Sequence, residues 1–512
     1  MFYNVLKNFK NPFLKSLFVF LAALALLSGS IVKMVTLRTE VPIFITGHAA
    51  SSLLLAFDAV MCKKKGHLNS IYEPGTLLKE LSQKESIATS EPLFNTILKI
   101  NNKSNLSEYC SALTTPYVNS ENTLGWLMQP IFKIYPSVSF EGVIFILFII
   151  QISMLWFLFY YLAYIRVPII YLLILSIVSI SVSSTQMPYL IFTQYPLLLP
   201  GLLFLIGLLG FSISCQWYQK RIFHSLFSCF VGAYLFFLYN LRTSYIIPAI
   251  AILIVYYLFL LHSMKASLFK NICNTLYPFF LVIVTSVFCY ISIQKSMFPD
   301  EFKKDKALYL TTHPIAHPLV LSLAIPANNF AKKQGIEWND AVGESIAAKV
   351  DSTVKTDTPK YEQVLLRYYE SLWMNFPKDM LRLYYEKFKS VGHNFAQNNY
   401  LIKRFMFPLS KLSGIMILFI QLMFLCLLWK NRTKLSAGFL FAALTFSLTG
   451  LALYVESGVI YSIYNACYHS FLTFWLVTLN VAFLSLILYR VSLIKKIAPY
   501  IKYKNAGEFL SF

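Results

Sequence analysis

Acidic residues are what this sequence has least of. It carries 23 Asp and Glu against 44 Lys and Arg in 512 residues, a formal charge of +21. Charged residues of both signs reach only 13%, about half of what a soluble globular chain carries. The eight cysteines include no C-x-x-C pair, which removes a zinc ribbon and a thioredoxin-type centre. No paired internal repeat stands out, which argues against the plan of many secondary transporters. No nucleic-acid module accompanies the basic charge, so nucleic acid is not an expected partner.

What the chain has instead is apolar surface: 57% hydrophobic and 17% aromatic residues, with a mean hydropathy of +0.60. A stretch of about 20 apolar residues crosses a bilayer. Ten such stretches are expected, at 17–37, 142–165, 168–186, 197–216, 222–240, 245–263, 272–293, 409–429, 435–455 and 469–489. Proline, polar and charged groups break them, as in Arg166-Val167-Pro168, Lys220-Arg221 and Asn240-Leu241-Arg242-Thr243.

The basic residues then sort by side. Lys7, Lys10, Lys15, Arg166, Lys220, Arg221, Lys265, Lys270, Lys430, Arg432, Lys434, Arg490, Lys495 and Lys496 fall on one side of these spans. The positive-inside rule makes that side cytoplasmic, with both termini inside. The chain is thus expected to be an all-α, polytopic integral membrane protein of about ten transmembrane helices, in a bacterial inner membrane. The run LFVFLAALALL after the first lysines lacks an A-x-A cleavage site and reads as an uncleaved anchor.

The expected organisation follows. Residues 1–37 are a cytoplasmic N-terminus and first span, 38–141 a first extracytoplasmic loop, and 142–293 a bundle of six spans. Residues 294–408 are a second extracytoplasmic loop, 409–489 the last three spans, and 490–512 a basic cytoplasmic tail. Both large loops are mainly helical and hold most of the acidic residues. Chemistry, if present, belongs on the outer face, because the inner loops are too small. Cys62 and Cys110 share the first outer loop, where they are either bridged or two free thiols.

Within that loop, ITGHAASSLLLAFDAVMCKKKG (45–66) has helical spacing. Ala50, Leu53, Leu54, Phe57 and Met61 form one face; His48, Ser51, Asp58 and Cys62 form the other. The pattern predicts an interfacial helix with its apolar face toward lipid and Lys63, Lys64 and Lys65 at its C-terminal end.

Several stretches, taken in order, resemble the C-type superfamily of polytopic membrane glycosyltransferases. ENTLGWLMQPIFKIYP (121–136) is similar to that superfamily's end-of-loop pattern. SSTQMPYLIFTQYPLLLPGLLFLIGLL (183–209) resembles its third-to-fourth-span turn. GAYLFFLYNLRTSYIIPAIAILIVYYLF (232–259) resembles its short hairpin with a basic residue at the outer tip. HPIAHPLVLSLAIPANNFAKKQGIEWNDAVG (313–343) looks like a stretch of poorly characterised bacterial members.

The resemblance implies transfer of a sugar from a polyprenyl-phosphate donor to a lipid or glycan acceptor at the outer face. It implies a carboxylate base and basic groups on the departing phosphate. Membrane lipids are the other implied partner, and no cofactor is required. The family's first-loop acid would fall near His48, where this chain has histidine, so Glu40, His48 and Asp58 all stand as catalytic candidates. Arg242, alone at the tip of an apolar hairpin, is the candidate phosphate ligand. Trp338 and Asp340 offer a sugar platform and a carboxylate, or else a turn and a helix cap.

His313 and His317 stand as further substrate-binding candidates; they have the i,i+4 spacing of a helical metal pair, but Pro314 and Pro318 argue against a helix there, so a divalent metal lacks support. Residues 359–389 read as two amphipathic helices split at Pro377. A non-catalytic relative, a lipid or glycan transporter, and a glycan polymerase or ligase remain rival expectations.

Overall fold

The computed structural model describes residues 11–29, 47–64, 67–69, 94–95, 98, 103–116, 123–186, 195–241, 246–263, 268–297, 315–354, 358–397 and 436–459, with isolated positions between 419 and 430. The described residues are almost entirely helical.

Helix α1 (Pro12–Leu26) starts where the Asn11 side chain accepts from the Phe13 amide and a proline occupies its first turn. It packs against α5 (Phe140–Tyr164) and α6 (Ile169–Gln186). Between them in sequence lies the segment expected to form the first extracytoplasmic loop. There α2 (Gly47–Met61) packs along α4 (Thr123–Ile134), with α3 (Leu106–Ser111) beside them. Two short strands, β1 (His67–Asn69) and β2 (Leu113–Pro116), pair antiparallel with His67 opposite Pro116.

Helices α7 (Tyr195–Ser214), α8 (Arg221–Leu241), α9 (Ile246–Ser263) and α10 (Leu268–Met297) continue the bundle, and α16 (Ala437–Val459) joins it by packing on α7 and α9. The sequences of α7 and α9 are apolar nearly all round, as suits a helix buried among others or in lipid. Glycine permits the closest crossing. A Cβ at Gly232 of α8 would overlap the Val282 carbonyl oxygen of α10, and the Ser286 hydroxyl donates to the Gly232 carbonyl at 2.7 Å. Close backbone approach at a small residue is a common way for helices to associate where no water drives them together.

Among the described residues, three helices are long and apolar enough to cross a membrane: Phe145–Tyr164, Arg221–Leu241 and Ala437–Glu456. Pro12–Leu26, Pro200–Ser214, Ile247–Leu261 and Leu276–Ser292 are shorter apolar helices. The outside of this bundle is greasy in rows. Ile250, Ile254 and Leu258 line α9 at i, i+4, i+8, and Phe280, Val284, Val287, Phe288 and Ile291 line α10, all well exposed. Exposed apolar rows of this extent suit lipid rather than water.

The bundle is polar in charge. Lys15 donates to the Val167 carbonyl at 2.8 Å, which sets α1's start beside the α5–α6 turn and Arg166. Cys215 and Tyr164 meet at 3.6 Å, placing the α7–α8 turn, with Lys220 and Arg221, at the same end. Tyr161 donates to the Gly438 carbonyl, so α16 starts there too. Val459 therefore ends α16 at the opposite end.

At that opposite end sits a second core. Helices α11 (Ala316–Leu321), α12 (Asn329–Gln334), α13 (Asp340–Val350), α14 (Pro359–Asn375) and α15 (Pro377–Gln397) enclose Val320, Leu323, Ile346, Tyr361, Leu365, Leu372 and Met380. The two amphipathic helices expected around Pro377 are α14 and α15. Thr358 caps α14 by accepting from the Tyr361 amide, again with proline in the first turn. This helical cap is fastened to the bundle by Lys387, buried in α15, whose ammonium reaches the Ser322 hydroxyl and the Val459 carbonyl, each at 2.9 Å.

Candidate functional site

Glu40, Arg242 and His313 lie outside the described residues. His48 falls in the first turn of α2, and its side chain is also outside them. Asp58, Trp338, His317 and Asp340 can be placed.

Asp58 does not sit on a solvent-facing polar stripe. Helix α2 is buried on more than one side because α4 and α3 both cover it, and Leu55, Ala56, Phe57 and Asp58 are all inaccessible. Tyr109 of α3 donates to Asp58 Oδ1 at 2.8 Å, while Oδ2 has no hydrogen-bond partner. Burial pushes the Asp58 carboxyl up to about 8, with the Tyr109 hydrogen bond opposing. One turn on, Cys62 is bridged to Cys110, the neighbour of Tyr109, so the open question of that pair resolves as a disulfide. The corner is a sealed joint: a covalent staple beside a buried acid–phenol pair.

The second loop presents a different arrangement. His317 lies on α11, contrary to the expectation that its prolines forbid a helix. Pro318 falls in the first turn, where its missing amide costs nothing. The orphan amides of Ile315 and Ala316 are taken by Glu362 Oε1, both at 2.7 Å, from the first turn of α14. The preceding residue on α14, Tyr361, meets His317 Nδ1 at 2.6 Å. On the other side of the ring, Nε2 lies 3.1 Å from Asp340 Oδ1. One tautomer satisfies both contacts: the phenol donates to Nδ1, and Nε2–H donates to the carboxylate.

The chain Tyr361–His317–Asp340 thus runs from the interior to water. Tyr361 is 1% exposed, and the Asp340 side chain is 90% exposed. Asp340 is the first residue of α13, and Asn339 is the cap that accepts from Ala341 N. Trp338, two residues ahead of Asp340, is half-buried. Gly343 makes the approach possible. A Cβ there would come to 2.7 Å from the Tyr361 hydroxyl and 2.9 Å from His317 Nδ1.

Of the sequence-derived candidates, His317 and Asp340 are brought together, with Trp338 on the same turn. Among the described residues, no group of three His, Cys, Asp or Glu stands where it could hold a metal ion. Three participants were not legible from the sequence: Tyr361, Glu362 and Gly343. The mid-helix glycine in NDAVGES was the one signal, since glycine there is costly unless a close contact needs it.

Chemically, the arrangement places a water-exposed carboxylate 3.1 Å from an imidazole that is itself backed by a buried phenol. It stands close to the end of α16. Ser322, five residues after His317, donates toward the Val459 carbonyl at 3.3 Å, and five helical residues span roughly 8 Å. No family model, no curated protein and no solved structure matches this chain.

Proposed function

We propose that the protein is a membrane glycosyltransferase of about ten spans, set in a bacterial inner membrane with both termini in the cytoplasm. It takes a sugar from a polyprenyl-phosphate donor and passes it to a lipid or glycan acceptor at the extracytoplasmic face. The observation that supports this reading is the Asp340 carboxylate: exposed, in contact with His317 and through it with Tyr361, and part of the helical cap that Lys387 fastens to the end of α16 opposite the basic end. A donor with a lipid tail must react near the membrane surface, and a base for it must face water there.

In this reading Asp340 takes the proton of the acceptor hydroxyl as its oxygen bonds to the anomeric carbon. The bond from that carbon to the phosphate oxygen breaks, and the electron pair leaves with the polyprenyl phosphate. The Arg242 guanidinium receives the departing negative charge through its planar fork. Trp338 offers an apolar face to the sugar ring. His317 is a positioning residue, keeping the carboxylate aimed outward.

A second reading, a non-catalytic relative, is favoured by one observation: the first-loop carboxylate Asp58 is withdrawn from solvent. Native mass spectrometry of the gently purified chain separates the two, with Arg242→Ala alongside. A co-purifying polyprenyl phosphate or sugar conjugate that is lost in the variant supports transfer. Bulk phospholipid alone, equal in both proteins, favours the non-catalytic reading.

A further inference from the structure

Helices α2 and α3 are joined by two ties that lie side by side. Asp58 and Cys62 stack one turn apart, and the Cys62 amide donates to the Asp58 carbonyl to close the last turn of α2. Their partners are consecutive on α3: Tyr109 donates to Asp58 Oδ1, and Cys110 is bridged to Cys62. The rest of α3 adds little to the joint. Asn105, Ser107 and Ser111 are exposed, and Glu108 is spent on Lys103 and Ser104 of its own segment.

The acid–phenol tie answers to protons. Asp58 is inaccessible and its Oδ2 has no hydrogen-bond partner, so an ionised carboxylate there would be a buried charge with a single donor. Nothing on the elements packed against α2 relieves that charge. Lys64 donates to the Leu113 carbonyl, and Lys63, Lys133 of α4 and Lys295 of α10 are exposed. Tyr290 of α10 packs on Phe236, and His67 of β1 is half-buried. None of these donates to Oδ2. In the closed joint the carboxyl keeps its proton up to about 8, whereas in water it gives it up at about 4. Opening the joint releases that proton, so the open fraction grows about tenfold per pH unit between the two values. The other tie answers to electrons. Cys62 and Cys110 are both half-buried, within reach of a small thiol, and their bond keeps Tyr109 beside Asp58 when the joint loosens.

We propose that these two ties form a latch: reduction of Cys62–Cys110 by a dithiol lets α3 lift from α2, and the lift presents Asp58 to water as a carboxylate. Two electrons and two protons pass from the dithiol to Cys62 and Cys110, and the dithiol closes into its own disulfide. With the cysteines bridged, α3 stays on α2 across the neutral range. The inference rests on this joint and not on sugar transfer. The fate of either leaves the other standing.

The test is hydrogen exchange, read by mass spectrometry on the full chain in detergent between pH 5 and 8. One sample is oxidised; the other is reduced with dithiothreitol and held reduced with a phosphine. Each rate is divided by the intrinsic exchange rate at its pH. Peptides within α2 and α3 report the latch, and peptides within α15 report the fold. The reduced chain should lose protection in α2 and α3 by about tenfold per pH unit. The oxidised chain should stay protected, with α15 the same in both. Reduced Asp58→Asn should show no such slope. A reduced parent without the slope overturns the proposal, because the carboxyl then does not drive opening. Oxidised and reduced chains that exchange alike at every pH also overturn it. So does a loss of protection in α15 along with the latch, because reduction then unfolds the chain instead of freeing one joint. These readings come from the parent chain and decide the matter even if Asp58→Asn fails to fold.

Discussion

At the scale of single residues, two of the acids that the sequence offered, Asp58 and Asp340, have opposite environments. Asp58 is buried, and its carboxyl is held up to about 8 by desolvation. In the unfolded chain it ionises near pH 4. Between these values the unfolded state has lost a proton that the folded state keeps, so Asp58 costs stability progressively as pH rises from about 4 to 8. Asp58→Asn keeps an acceptor for Tyr109 and removes the titration. Its melting temperature in detergent, relative to the parent, should climb with pH across that window; a constant difference would contradict the burial argument.

Asp340 is exposed, and its orientation depends on neighbours. Gly343→Ala should push His317 and Tyr361 apart. The predicted result is a lowered melting temperature together with a tenfold or larger loss of transfer, and Gly343→Ser should be no milder. Tyr361→Phe strands His317 Nδ1 without a donor. It should cost about 1–3 kcal/mol in stability, read from denaturant unfolding.

At the scale of elements, the first-loop corner and the cap rely on different fastenings. Cys62–Cys110 closes a loop of 48 residues, and losing such a link typically costs about 2–4 kcal/mol. Cys62→Ser with Cys110→Ser should therefore lower the melting point markedly and leave the cap's protection from hydrogen exchange intact. Lys387 fastens α15 to α16. Its burial pulls the amine down to about 7, against about 10.4 in the unfolded chain. Between those values the unfolded state binds the extra proton, so this residue's contribution to stability rises with pH from about 7 to 10.4. Lys387→Met should flatten that slope and raise hydrogen exchange along α15.

These elements also show what sequence could and could not reveal. Apolar runs, charge punctuation and Pro377 were legible because helix periodicity and proline geometry are local. Placing Asp58 on an open face failed because burial of α2 comes from α3 and α4, which lie about 50 and 65 residues later in the chain. Amphipathic spacing names the face of a helix and not how many partners cover it. The Tyr361–His317–Asp340 chain was half legible. His317 and Asp340 stood out as chemistry-bearing types, whereas Tyr361 belonged to an amphipathic helix where core packing explains a tyrosine. Only the meeting of α11, α13 and α14 gives it a role.

At the scale of the whole molecule, the charge polarity of the bundle and the position of the cap agree. Lys15, Arg166, Lys220 and Arg221 gather at one end, and the cap with Asp340 sits at the other. Reporter fusions at residue 265 and residue 300 should accordingly report opposite sides of the membrane. The central claim is that the Asp340 carboxylate is the base for sugar transfer at the outer face. Its most direct test is transfer from a panel of radiolabelled polyprenyl-phosphate hexoses and pentoses into envelope lipid and glycan, in membranes carrying either the parent chain or Asp340→Asn. The account predicts label incorporation by the parent from one donor and a loss of about 10²–10⁴-fold in the variant, with donor lipid still bound. Equal incorporation by both chains would contradict it.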